Sequence, residues 1–415
     1  MVIGFFFGYM VVAHVLMPIY YKMNLTSIYS YLGQRLGRRS YITGSIFFLL
    51  SRMLGTAAKL YLVCLILYTY VFSSMGVPFV AIAAGSVLLV WIYTHKNGIK
   101  TIIWTDSLQT LCLVTALICI IVVVINKLGF SGVDAVKAIA ANTHSKIFVF
   151  NDWVSTQNFT KQFFSGIFIV IVMTGLDQDM MQKNLSCRNL REAQKNMYCY
   201  GLAFIPLNLL FLSLGILLIL LAGKMQIALP AISDDILPMF ATQGYLGHGI
   251  LILFTIGIIA ATFSNSDSAL TAMTTSVCID LLQTDKETPQ KALRTRHTVH
   301  IILSLILICS ICIVRAMNDK SVIDAIYIIA SYTYGPLLGM FAFGLFTHRR
   351  TRDIYVPYVA IASPIICYLL NVAVGNLYNY HFGYELLIVN SAITFVGLWI
   401  LKSNKPVNIL QDYKS

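Results

Sequence analysis

Five hydroxyl and carboxyl side chains recur along an apolar segment, residues 259–280, which reads IAATFSNSDSALTAMTTSVCID. They are Ser264, Asp267, Ser268, Thr271 and Thr275, and their spacing of three or four residues places them on one face of a helix. A carboxylate in a membrane helix costs on the order of 3 kcal/mol, so it normally faces a cavity, an ion or a partner. Because hydroxyl and carboxylate oxygens are ligands of hard cations, the pattern predicts a cation site on this helix.

The composition indicates that this helix lies in a membrane. Of the 415 residues, 58% are apolar and only 11% are charged, and the mean hydropathy is +0.77. A soluble domain carries about 25% charged residues. Eleven apolar segments are long enough to span a bilayer, at approximately 2–21, 41–73, 77–95, 100–126, 162–180, 198–223, 249–282, 298–315, 322–346, 355–374 and 385–402. The sequence therefore predicts an all-α, polytopic membrane protein.

The net charge is +12, and the positive residues are distributed as the predicted topology requires. Twenty of the 29 lysines and arginines lie at every second boundary between spans, among them Lys183, Arg188, Arg349 and Arg350. By the positive-inside rule these boundaries are cytoplasmic, which places the amino terminus outside and the carboxyl terminus in the cytoplasm. The charge is thus explained without a nucleic acid partner. The sequence shows no paired nucleophile and base, and the nine cysteines show no metal-ligand spacing. It therefore gives no indication of an enzyme.

Five blocks of sequence occur in an order that resembles the sodium:solute symporter family. They are LTSIYSYLGQRLG at 25–37, FFLLSRMLGTAAKLYLV at 47–63, IYTHKNGIKTIIWTDSLQT at 92–110, GLDQDMMQKNLSCRNLREAQKNM at 175–197 and SNSDSALTAMTTSVCIDLL at 264–282. The resemblance implies the inverted-repeat fold named for the bacterial leucine transporter, in which two sets of five helices are related by a pseudo-twofold axis. It implies one transporter domain, residues 1–415, with 1–126 in the first repeat, 162–346 in the second and 355–402 as two additional helices.

The resemblance also implies that about two further helices precede this sequence in the family. One of them is the broken first core helix, which supplies part of the common sodium site. We therefore expect a fold that lacks this helix in the chain as given. We also expect the 415-residue chain by itself to give no sodium-driven uptake, and an upstream-extended chain to give it.

Two sodium sites are implied by the matching positions. For the common site, Ala261 would give a carbonyl and Ser264 a hydroxyl, with Asn265 standing where Ser or Thr is usual. The residues implied for a second site, present in some family members, are Asp106, Ser264, Asp267 and Ser268. Two carboxylates this close cannot both be ionised without a cation between them, so the site should hold sodium or a proton. An internal ion pair with no role in transport is the alternative for both acids.

Two cations lie within the second apolar segment. Arg52 and Lys59 are seven residues apart, so they share one helix face. A guanidinium suits a carboxylate, which favours an acidic solute such as an organic or sugar acid. Pairing of these cations with Asp106 or Asp267 is the alternative. Gln109, in the WTDSLQT block, is a third candidate for contact with the solute.

Two further motifs concern gating. Asp177, Gln178 and Asp179 fall near the inner end of the fifth span, which predicts a solvated position at an inner gate. Gly335 and Pro336 are expected to break a helix that would otherwise be continuous and to act as a hinge of the pathway. A packing kink is the alternative reading of the Gly-Pro pair.

Together these features predict a secondary transporter of the cell (inner) membrane. It would couple inward movement of Na⁺ to uptake of a small, possibly anionic, organic solute by alternating access. The sequence contains no ATP-binding P-loop, so the ion gradient would supply the energy. The expected partners are the solute, Na⁺ and the lipid bilayer, with no cofactor besides the coupling ion. The alternative is a solute sensor or a non-transporting truncated relative on the same scaffold.

Overall fold

A computed structural model of the chain describes residues 1–401 except 24, 26, 73–74, 95–98, 231, 318–321, 379 and 381. Within helices, the side chains of residues 70, 93–94, 99–105, 260–265, 317 and 322–325 also lie outside the description. All regular secondary structure in the described part is helical. The predicted all-α class is confirmed.

Fifteen α-helices follow one another along the described chain. They are α1 (Val2–Met23), α2 (Ser30–Arg35), α3 (Arg38–Ile66), α4 (Phe79–Thr94), α5 (Ile99–Leu128), α6 (Gly132–Ala141), α7 (Phe159–Gly175), α8 (Gln178–Leu185), α9 (Leu190–Met225), α10 (Ile236–Thr242), α11 (His248–Ser276), α12 (Pro289–Met317), α13 (Val322–Phe346), α14 (Val356–Tyr378) and α15 (Leu386–Ile400). One π-helical turn extends α3 to Val71 and another extends α11 to Leu281.

The helices account for all eleven predicted spans. Seven are long and apolar enough to cross a membrane, and three shorter apolar helices cover Phe79–Ile92, His248–Ile259 and Leu386–Ile400. The remaining span is a pair, α7 and α8, bent by 67° at a short break. The polytopic prediction is therefore confirmed, and the span predicted at 162–180 is formed by a bent pair of helices.

Helix α3 lies at the centre of the bundle. It packs against α11, α12 and α13, while α5 packs against α11 and α9, and α8 contacts α11. Three apolar cores surround these contacts, each drawing on a different group of helices. Polar residues in the middle of α3, α5, α8 and α11 are consequently brought to a common region between the cores.

Helices α1 and α7 approach each other through glycine. A Cβ added at Gly4 would lie 2.1 Å from the carbonyl oxygen of Phe163, and one added at Gly8 would lie 2.8 Å from that of Ile167. Small residues four apart allow two membrane helices to pack backbone against backbone. The first helix is thereby fixed to the first half of the bent pair.

The predicted break at Gly335 and Pro336 is not observed. Helix α13 is continuous from Val322 to Phe346 with Pro336 inside it. A proline cannot donate to the carbonyl four residues earlier, which here belongs to Tyr332. The side-chain amide of Asn390 on α15 replaces that donor at 3.0 Å and also donates to the Ser331 carbonyl at 2.9 Å. The expectation of a broken helix is wrong because a neighbouring side chain satisfies the freed carbonyl. Gly335 packs directly against Asn390 of α15, and the role of the pair as a hinge stays a prediction.

Candidate functional site

A cavity of about 740 Å³ opens between α3, α5, α8, α9 and α11. Its polar lining includes the three residues predicted to contact the solute, Arg52, Lys59 and Gln109. Two of the residues predicted to bind sodium, Asp106 and Ser268, line the same cavity. Sequence positions more than 200 residues apart thus meet around one space.

The break between α7 and α8 forms one wall of this region. The hydroxyl of Tyr20 donates to the Gly175 carbonyl at 2.9 Å, and the hydroxyl of Tyr29 donates to the Leu176 carbonyl at 2.8 Å. Asp177 then caps α8, because its Oδ1 accepts from the amide of Asp179 at 3.0 Å. Both helix ends are therefore satisfied inside the protein, as a break in a membrane helix requires.

The break also places two carboxylates beside α3. The Arg52 guanidinium forms ion pairs with Asp177, at 3.3 Å from Oδ2, and with Asp179. The hydroxyl of Tyr334 donates to the same Asp177 oxygen at 3.0 Å. The side chain of Asp177 is fully buried and that of Asp179 is 7% exposed.

These contacts correct two expectations. Asp177, Gln178 and Asp179 are buried, so their predicted solvated location at an inner gate is wrong. Arg52 does pair with acids, as one alternative held, but with Asp177 and Asp179 in place of Asp106 or Asp267. The reason is the 67° bend, which turns the start of α8 back toward α3. A glycine that ends one helix, followed two residues later by an aspartate that caps the next, is a signal that could have revealed the bend.

Lys59 lies in the same cavity as Arg52 but differs in its surroundings. Within the described part of the chain, its ammonium makes no ion pair and no hydrogen bond. The Oε1 atom of Gln109 is buried and likewise has no hydrogen-bond partner among the described residues. The cavity therefore presents a cation and an amide to whatever enters it.

Lys183 is a site residue that the sequence did not reveal. The sequence predicts a cytoplasmic boundary at this position, and in the structure its Nζ lies 2.9 Å from Asp106 Oδ2 and 2.9 Å from Ser268 Oγ. Asp179 Oδ1 is 3.7 Å from the same nitrogen. The spacing of four between Asp179 and Lys183 is the only local signal of this cluster, and it is common on ordinary helix surfaces.

The structure describes the side chains of only some of the predicted ion ligands on α11. Asp267 is fully buried, and its Oδ1 accepts the amide hydrogen of Ser268. Its Oδ2 has no hydrogen-bond partner in the described part of the chain. Asp267 also interacts electrostatically with Asp106 and Lys183. The side chains of Ala261, Ser264 and Asn265 lie outside the described residues.

The sequence of this chain matches a known family. The model of the sodium:solute symporter family matches residues 1–353. The chain belongs to the sodium:solute symporter family. The resemblance found in the sequence blocks is thereby confirmed, and the site described above is the polar centre of a member of this family.

A solved structure supports the fold of this symporter-family chain. It is the substrate-bound, outward-open state of a Na⁺-coupled sialic acid symporter, with a TM-score of 0.79 and 21% sequence identity. The match covers 96% of this chain and 82% of that chain. The predicted leucine-transporter-like architecture is therefore confirmed at the level of the fold.

Curated relatives of this symporter-family chain are longer than it is. The sodium-dependent multivitamin transporter of Oryctolagus cuniculus is 26% identical over 352 residues, which is 82% of this chain and 54% of the relative. The sodium/sialic acid symporter NanT of Aliivibrio fischeri is 25% identical over 81% of this chain and 66% of its own length. SiaT of Proteus mirabilis is 24% identical over 88% of this chain and 73% of its own length. The chain thus spans about half to three quarters of these relatives.

Proposed function

We propose that this chain forms the ion and solute sites of a sodium-coupled symporter in the cell (inner) membrane, which takes up a small organic anion by alternating access. The observation that carries the proposal is the Lys59 ammonium, which faces the 740 Å³ cavity with no ion pair among the described residues. A charge kept in a membrane interior without a partner is costly, so it is normally retained for a ligand.

The charges around the cavity favour an anion held by Lys59. Arg52 forms ion pairs with both Asp177 and Asp179, so its guanidinium is already engaged within the protein. Lys59 has no ion-pair partner in the described part. The unpartnered atom of Gln109, which lines the same cavity, is the acceptor Oε1, and it suits a hydroxyl or amide group of the solute. A solute carboxylate would give the Lys59 ammonium a partner at contact distance. The volume suits a small solute, since ligand pockets run from about 300 to 1,000 Å³.

The names of the relatives support the same class of solute. Besides the sialic acid symporters, they include a human sodium/iodide cotransporter and a mouse sodium-coupled monocarboxylate transporter, at 24% identity each. Sialic acid, iodide and monocarboxylates all bear negative charge at neutral pH. An anionic solute for this chain is therefore in keeping with the family.

The oxygen atoms near the cavity support Na⁺ as the coupling ion. Asp106 and Ser268 line the cavity, and Asp267 keeps one buried carboxylate oxygen without a partner among the described residues. A buried carboxylate oxygen without a donor is expensive, and a bound cation would remove that cost. Together with the implied ligands Ala261, Ser264 and Asn265, these groups are proposed to bind Na⁺.

A binding experiment tests the proposal on the chain as it stands. The purified protein is reconstituted in lipid nanodiscs, and its thermal stabilisation is measured with sialic acid, monocarboxylates, iodide and a neutral hexose, in Na⁺ and in K⁺. We expect at least one anion to stabilise the protein more in Na⁺ than in K⁺. Lys59→Met should weaken that binding about 30-fold or more, since loss of a desolvated charge partner costs about 2 kcal/mol or more.

The matched control is Lys195→Met, which removes an exposed lysine from α9. It should leave anion binding unchanged. Equal stabilisation by the neutral hexose, or anion binding that survives Lys59→Met, would contradict the assignment of the solute site.

A further inference from the structure

The Lys183 ammonium is surrounded by oxygen atoms from three helices. Asp106 Oδ2 on α5 and Ser268 Oγ on α11 are each 2.9 Å from Nζ, and Asp179 Oδ1 on α8 is 3.7 Å away. An ammonium group has three hydrogen-bond donors and no acceptor, so a position among three oxygen atoms suits it. The Lys183 side chain is 27% exposed and that of Asp106 is 23% exposed, so the contact lies at the edge of the cavity.

We propose that Lys183 is a built-in competitor of Na⁺: its ammonium and the ion bind the oxygens of Asp106 and Ser268 in turn. The inference rests on the proposed function, because it takes these oxygens as part of a sodium site. It adds that the site is regulated by a residue of the chain itself.

The two cations exclude each other for steric and electrostatic reasons. A hard cation needs direct contact with carboxylate and hydroxyl oxygens, and the nearest ones are those that Lys183 contacts. Two positive charges a few Å apart in a partly dry site repel strongly. One of them must therefore leave before the other binds.

Asp179 gives the displaced ammonium a second partner. Its Oδ1 lies 3.7 Å from Nζ in the present conformation, and the flexible lysine stem can close that distance by rotation. The other oxygen of Asp179 is bound by Arg52, which lines the solute cavity. Because that oxygen stays with Arg52, Oδ1 is the atom of Asp179 that receives the displaced ammonium. The contacts from Arg52 to Asp179, Lys183 and Asp106 thus connect the solute cavity to the ion site.

The test measures Na⁺ affinity directly. The 415-residue protein in nanodiscs is titrated with NaCl against choline chloride at constant ionic strength, and its thermal stabilisation is recorded. Lys183→Met should lower the half-saturating Na⁺ concentration by about tenfold or more, because the competing charge is gone. Lys183→Arg keeps the charge and should give no such decrease. Adding Asp106→Asn to Lys183→Met should abolish the increase in Na⁺ affinity.

Two further variants keep the result interpretable. Lys195→Met is the matched control and should leave Na⁺ affinity unchanged. Lys183→Gln removes the charge but keeps hydrogen-bond donors for Asp106 and Ser268, so it replaces Lys183→Met if that variant fails to fold.

A purely structural role for Lys183 predicts the opposite direction. The methionine would then leave Asp106 uncompensated, and the half-saturating Na⁺ concentration would stay the same or rise. That outcome overturns the inference. If Asp106→Asn alone still changes the half-saturating Na⁺ concentration, the sodium site remains supported without it. If neither the unmodified protein nor Lys183→Met responds to Na⁺, the inference and the sodium site both fail. A response seen only in Lys183→Met supports the inference.

Discussion

Replacing Arg52 by methionine should destabilise the protein because it leaves the buried Asp177 carboxylate without its ion-pair partner. In the structure, the guanidinium lies 3.3 Å from Asp177 Oδ2, and the two side chains are 12% and 0% exposed. At that distance the attraction is about 5 kcal/mol with an effective dielectric constant of about 20. Removing one partner of a buried pair typically costs about 3 to 5 kcal/mol. Asp177 keeps the Tyr334 hydroxyl and two backbone amides, so we expect about 3 kcal/mol.

The companion variant is the double change Arg52→Met with Asp177→Asn. The asparagine removes the unpaired charge, while its amide oxygen can still cap α8. Asp179 keeps Lys183 as a neighbouring cation at 3.7 Å. We expect the double variant to recover about half of the lost stability or more, because the penalty comes from the uncompensated charge.

The free energies are measured by SDS-induced unfolding in mixed micelles, with all four proteins of the double-mutant cycle under one lipid and salt condition. The coupling free energy between the two positions should be about 1 kcal/mol or more. The reasoning is refuted if Arg52→Met costs less than about 1 kcal/mol, since buried pairs lose more than that when one partner is removed. A double variant no more stable than the worse single variant would refute it as well.

Three further predictions concern other parts of the molecule. Gly8→Leu should destabilise the protein by about 1 to 3 kcal/mol in the same unfolding assay, because the new side chain meets the α7 backbone. Gly215→Leu is the control and should be nearly neutral, since no atom lies within 4 Å of a Cβ added there. In a background without native cysteines, Asn151→Cys should react with an impermeant maleimide from outside intact cells and Thr288→Cys should not, and the reverse pattern would overturn the orientation. Asp267→Asn should raise the half-saturating Na⁺ concentration of anion binding about tenfold, because a charged oxygen ligand is lost, and unchanged Na⁺ dependence would remove Asp267 from the site.

The membrane helices could be predicted from the sequence because apolar length is a local property. All eleven segments have a counterpart in the structure, and the blocks around Asp106 and Ser268 indicated the family. The proximity of Arg52, Lys59 and Gln109 to these residues also followed from recognising which helices meet. Each of these conclusions depends on periodicity or on the order of motifs, both of which are visible in one sequence.

The charge pairing could not be predicted in the same way. Arg52 and Asp177 are separated by 125 positions, and the local signal of a glycine two residues before a capping aspartate indicates a bend but not which cation Asp177 meets. Lys183 fitted the pattern of cytoplasmic positive charge, although it contacts Asp106 and Ser268. The continuity of α13 through Gly335 and Pro336 could not be predicted because the side chain that donates to the freed carbonyl, Asn390, lies on another helix. Each error concerns a contact between helices distant in sequence.

The break between α7 and α8 has a consequence for hydrogen exchange. Breaks in helices usually expose amides to water, and such amides exchange their hydrogens quickly. Here the amides of Asp179 and Met180 donate to the buried Asp177 carboxylate, and the amide of Ile28 donates to the Gln178 side chain at 3.0 Å. These amides should therefore exchange as slowly as those inside the neighbouring helices, with protection factors that fall together when the Arg52 pair is broken. The bend would then register in deuterium uptake as one of the most protected positions of the bundle.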